Sequence, residues 1–160
     1  MFYGAQMFVV RREFGRLDEQ RDEVKCILRT VTLRKWDPGL ALMCAEVELM
    51  DEAREVFERL AGNGFAGLAH DDMYPTCLAY CAETCVALRD RERAARLHSL
   101  LEAFAGQTLN HPSAVCFGAA EYFLGSLAFT AGELEPARGE LAHHGGGRGA
   151  RGGISAQFSR

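Results

Sequence analysis

Three cysteines on one predicted helix are the residues whose spacing first suggests chemistry. Cys77, Cys81 and Cys85 lie four residues apart in TCLAYCAETC, and we refer to them as the cysteine stripe. This spacing puts them on one face of a helix, but each step rises about 6 Å, so the backbones of Cys77 and Cys85 lie about 12 Å apart. Sulfur ligands of one tetrahedral zinc ion lie about 4 Å from each other, so a single ion cannot bind all three.

Two neighbours in the stripe could share an ion only with ligands from elsewhere. His70 and His98 are the nearby histidines, and neither stands at a ligand spacing from a cysteine. A catalytic cysteine would need a base and a lowered pKa, which the sequence does not assign; Cys116, near His111 at a predicted helix start, is the best candidate for an exposed thiol. One hypothesis for the function, to be weighed against two others, is an enzyme or metal protein that uses the cysteine stripe.

The composition is that of one globular domain that can form a core. The chain has 160 residues, of which 48% are hydrophobic and 25% charged. Residues 1–144 carry fifteen basic and twenty-two acidic side chains, a net charge of −7 that argues against direct nucleic-acid binding. There is no run of 18 apolar residues and no signal peptide, so we expect a cytoplasmic protein that does not enter a membrane. The six cysteines lie in apolar periodic segments, which favours buried, reduced thiols over disulfides.

The hydrophobic pattern predicts an all-α fold. Apolar residues recur every three or four positions, and strand-like alternation is absent. Asp37 is predicted to cap a helix that begins with Pro38, and the charged run RDRER (89–93) is interpreted as a solvated helix face. The predicted helices are 3–14, 18–29, 38–48, 50–62, 73–88, 90–105, 112–130 and 133–144.

A unit of two helices repeats along the chain. Ala53, Ala94 and Ala137 align at intervals of 41 and 43 residues, and a small residue stands twelve positions before each of them. Small residues at these places let two helices approach closely, and stacked pairs bury the faces that one pair leaves open. We predict a right-handed α-solenoid of about four antiparallel helix hairpins over residues 1–144.

The same alignment gives the cysteine stripe a packing role. The places of Cys77, Cys81 and Cys85 are taken in the other repeats by large or small apolar residues or by another cysteine. The equivalent residues are Trp36 and Ala120, Leu40 and Leu124, and Cys44 and Ala128. We therefore interpret the stripe as the inner face of a helix in the core.

Three stretches carry a resemblance to a known family: LMDEAREVFERLA followed by GFAGL, ALRDRERAARLHSLLEAFAG, and AAEYFLGSLAFTAGELEPARGELAHH. Over roughly residues 3–144 the chain resembles the tetratricopeptide-like C-terminal region of bacterial LuxR-type ATP-binding transcriptional regulators and related multidomain adenylate cyclases. The resemblance implies a scaffold or sensing arm. In those proteins the nucleotide-binding, cyclase and DNA-binding segments lie elsewhere in the chain.

The last residues differ sharply in composition. Residues 145–160, GGGRGARGGISAQFSR, are rich in glycine and arginine and lack acids, so we expect a disordered tail. This change raises an alternative, that the chain is a truncated or frame-shifted remnant of such a regulator with no independent activity. Uncapped ends of the stack would then expose apolar faces and favour self-association.

The favoured function is a non-enzymatic protein-interaction or regulatory module. No phosphate-binding loop is present, and the sequence predicts no cofactor and no metal. We expect the partner to be a protein, a peptide or another domain of the same regulator, bound in the concave groove of the solenoid. The residues predicted to line that groove are Tyr80, Glu83, Phe117 and Glu121.

Overall fold

The computed structural model describes Phe14 and residues 20–30, 34–111 and 115–133. Over these residues the chain is mostly helical, which agrees with the predicted helical class. The predicted helix 3–14 apart from Phe14, the predicted helix 133–144 beyond Glu133, and the tail 145–160 lie outside the described residues. The helices are α1 Arg21–Thr30, α2 Asp37–Glu46, α3 Met50–Ala61, α4 Tyr74–Leu88, α5 Arg91–Leu101 and α6 Ala120–Ala131; the strands are β1 Thr108–His111 and β2 Val115–Ala119.

Helix α4 is the centre of the packing. It contacts α2, α3, α5, α6 and β1, and ten of its fifteen residues are buried, so it has almost no solvated face. Helix α2 pairs with α3, and α5 packs against both α4 and α6. The helices α2, α4 and α6, which begin the successive predicted repeats, therefore contact one another in order through α4.

The small residues of the repeat lie in these helix contacts. Ala53 on α3 and Ala94 on α5 are fully buried, and so are their predicted counterparts Ala41 and Ala82 on the preceding helices. Gly125 takes the same place on α6 and is buried as well. Close approach of the paired helices thus depends on side chains no larger than a methyl group at these positions.

The connection between α3 and α4 is held by two apolar side chains. Phe65 and Leu68 are buried, and the ring of Phe65 lies 5.7 Å from that of Phe57 on α3. Phe65 adopts a φ of +67°, which costs an L-residue about 1–2 kcal/mol. Burial of a Phe side chain contributes about 1.5–3 kcal/mol, so the packing offsets the backbone strain.

A β-hairpin replaces the start of the predicted helix 112–130. β1 and β2 pair antiparallel, and α6 begins only at Ala120. The prediction that the chain contains no strands was wrong here, and so was the end of helix 90–105, since α5 ends at Leu101 before a single 3₁₀ turn, Glu102–Phe104.

Local sequence explains the hairpin. Thr108, Val115 and Phe117 are of the β-branched and aromatic types that favour strands, and Gly118 has a φ of +105° that no helix allows. The hairpin is attached to α4, because the Thr76 hydroxyl donates a hydrogen bond to the Asn110 carbonyl at 3.1 Å.

Helix starts differ in two places from the sequence interpretation. Asp37 is not a cap: α2 begins at Asp37 itself, and its carboxylate lies 3.6 Å from the guanidinium of Arg59. Asp90 is the cap of α5 and accepts a hydrogen bond from the Arg93 backbone N–H at 3.1 Å. The Arg93 side chain bonds to Asp90 and to Glu58 on α3, each at 2.6 Å, so this part of RDRER is not a solvated face.

Substitution Arg89→Gly should stabilise the protein. Arg89 follows α4 in the left-handed conformation, with φ +54° and ψ +39°, a place where glycine has no steric cost. We expect the free energy of unfolding to rise by about 0.5–1 kcal/mol in urea titrations. The control Arg54→Gly, in the exposed middle of α3, should instead lower the free energy of unfolding by about 1 kcal/mol. A lower free energy of unfolding for both variants would contradict the left-handed geometry at Arg89.

Substitution Asp90→Ala should lower the free energy of unfolding by about 2 kcal/mol, since it removes both the cap of α5 and the ion pair with Arg93. Asp90→Asn keeps an oxygen that can accept a hydrogen bond from the Arg93 N–H but loses the charge. Its free energy of unfolding should therefore lie between those of the wild type and Asp90→Ala. Asp51→Ala, in the exposed first turn of α3, is the matched control and should change the value by less than about 0.5 kcal/mol. Equal midpoints for all three variants in urea would contradict the role of Asp90.

Candidate functional site

The cysteine stripe lies in the core of the protein. Cys81 and Cys85 are fully buried on α4, and Cys77 is half-buried nearer the start of the helix. The Cys85 thiol donates a hydrogen bond to the Asp90 carbonyl at 3.2 Å. Five of the six residues in equivalent places of the other repeats are buried too, namely Leu40, Cys44, Ala120, Leu124 and Ala128, and the sixth, Trp36, is half-buried like Cys77. The interpretation of the stripe as a packing surface is confirmed for Cys81 and Cys85.

Burial makes these thiols poor nucleophiles. Loss of hydration raises the pKa of Cys85 to about 12, with the Asp90 carboxylate adding to the effect and Arg93 opposing it. Burial and the neighbouring Asp71 raise the pKa of Cys77 to about 11. Burial raises the pKa of Cys81 well above its usual value, with added repulsion from the thiolates of Cys77 and Cys85. A reactive cysteine needs a lowered pKa, so the surroundings oppose nucleophilic chemistry along the stripe.

The part of the chain that the structure describes contains no cluster of side chains that could bind a metal ion. No group of three or more His, Cys, Asp or Glu side chains there could hold an ion. His98 lies 3.5 Å from Glu102, one turn further along the chain. Cys116 falls in β2 and not at a helix start, and its side chain is outside the described set.

Two of the four predicted groove residues are in contact. The rings of Tyr80 on α4 and Phe117 on β2 meet edge to face with their centroids 5.0 Å apart, a geometry that aromatic pairs prefer. Both side chains are half-buried. The sequence predicted that Phe117 lies on a helix; the contact arises instead because the hairpin brings a strand against α4.

The other two predicted residues are engaged within the fold. Glu83, one turn after Tyr80, is only 7% exposed and lies within the packed part of α4. Glu121 accepts a hydrogen bond from the Gly106 backbone N–H and so fastens the turn before β1 to the start of α6. Glu83 is therefore removed from the surface, whereas Glu121 is half-buried and holds the turn before β1, and the aromatic pair is the half-buried apolar part of the predicted set.

Three further residues extend the surface around Tyr80. A Cβ at Gly39 of α2 would lie 3.6 Å from the Tyr80 ring, an ordinary van der Waals distance, so the ring lies directly beside a helix position that has no side chain. Met43, one turn further along α2, is half-buried, as is Cys77 on α4. We call Gly39, Met43, Cys77, Tyr80 and Phe117 the groove strip.

Sequence reasoning missed Gly39 and Met43. The 41-residue repeat carries a signal for Gly39, because Gly39 stands 41 residues before Tyr80, a half-buried position of α4. It carries none for Met43, because Met43 stands 41 residues before the fully buried Thr84.

Comparison with known proteins places the chain in no group. No family model, no curated protein and no solved structure matches it. Within the residues that the structure describes, no helix is both long enough and apolar enough to cross a membrane.

Alkylation with iodoacetamide at pH 8 should separate the cysteines by burial. Peptide mass mapping should show rapid labelling of the exposed Cys26 on α1 and very slow labelling of Cys44, Cys81 and Cys85 in the native protein. Cys77 should react slowly, because with a pKa of about 11 only about one thiol in a thousand is ionised at pH 8. Its rate should rise about tenfold per pH unit up to pH 10.

Denatured protein is the control for this experiment, since all cysteines should then react at similar rates. Fast native labelling of the whole stripe, or one zinc ion bound per chain after purification, would contradict the packing role.

Proposed function

We propose that this chain is a non-enzymatic helical-repeat module that binds a protein or peptide segment along the groove strip. The observation that carries the proposal is the Tyr80–Phe117 pair beside Gly39: two half-buried aromatic rings meet edge to face next to a helix position that has no side chain. Half-buried aromatic side chains of this kind act as anchors in protein interfaces, because they bury a large area at a small cost in conformational entropy.

The order of helix contacts supports a solenoid of tetratricopeptide-like hairpins as the architecture of this module. α2, α4 and α6 meet in sequence, while α3 and α5 each pair with the helix before them, as helix pairs do in a stack. In such a stack the first helices of the repeats form one side of the molecule. The groove strip would then run along that side, with α2 and α4 supplying helix residues and β2 supplying Phe117.

The resemblance in sequence supports a more specific proposal, that the module belongs to a bacterial signalling or transcriptional regulator. Its role there would be to present a surface to a peptide or to another domain of the same regulator. The groove supplies shape and an apolar contact area and performs no reaction. The raised pKa values of the buried Cys81 and Cys85 thiols agree with a role in packing for these two cysteines of α4.

Selection from a display library of random peptides, followed by fluorescence anisotropy with the enriched peptides, tests the binding role. Tyr80→Ala removes one ring of the aromatic pair, and Gly39→Gln places a side chain against the Tyr80 ring. Each should weaken peptide binding at least about tenfold, which corresponds to about 1.4 kcal/mol.

Arg54→Gln, exposed on α3, is the matched control and should bind within about twofold of the wild type. Circular dichroism and urea midpoints must show that both strip variants remain folded. Equal binding by all variants, or failure to enrich any peptide on the wild-type chain, would overturn the proposal.

A further inference from the structure

We draw no further inference here: the strongest candidate, the aromatic cluster of His70, Tyr74 and Phe104 at the start of α4, consists of rings that pack on one another, and nothing in the described part of the structure shows what would cover it.

Discussion

Asp90 connects three helices through its carboxylate and its backbone carbonyl. It caps α5 through the Arg93 backbone N–H, and it orients the Arg93 guanidinium, which reaches Glu58 on α3. The carbonyl of the same residue accepts from the Cys85 thiol at the end of α4. Because Asp90 lies in the two-residue connection between α4 and α5, its bonds hold these two helices of one pair together, and the Arg93–Glu58 bond joins that pair to α3 of the preceding pair. Helix α4 carries Tyr80, so the groove strip depends on this arrangement of helices.

The backbone is strained at one residue in each of the two connections that flank α4, and the contacts around these residues compensate. Arg89 turns left-handed so that the Asp90 N–H can bond to the Cys85 carbonyl at 3.1 Å, which closes the end of α4. Phe65 accepts a similar conformation, and its ring is buried against Phe57. Both residues adopt a backbone conformation that costs free energy. Phe65 does so to bury its ring and Arg89 to close the end of α4, and the contacts that result offset the cost.

The recurrence of apolar residues every three or four positions was enough to predict the helices of the described region from sequence, including α4, which is buried on nearly all sides. Repeat alignment also predicted that Cys81 and Cys85 pack in the core, since equivalent places hold Leu40 and Ala128. The hairpin was missed because its strands are only four and five residues long, too short for an alternating pattern to stand out. The Arg93–Glu58 pair was missed because it joins residues 35 apart, a tertiary contact that local charge patterning does not reveal.

The bulge in the hairpin gives Phe117 an unusual origin for a groove residue. Leu109 pairs with Gly118 and Asn110 pairs with Cys116, so Phe117 is the extra residue between two regular pairs. A side chain on a helix keeps its direction when the helix shifts slightly, but a strand that slips by one residue turns every side chain to the opposite face. The contact between Phe117 and Tyr80 is therefore all-or-none: it forms in one register of the two-stranded sheet and is lost in the next.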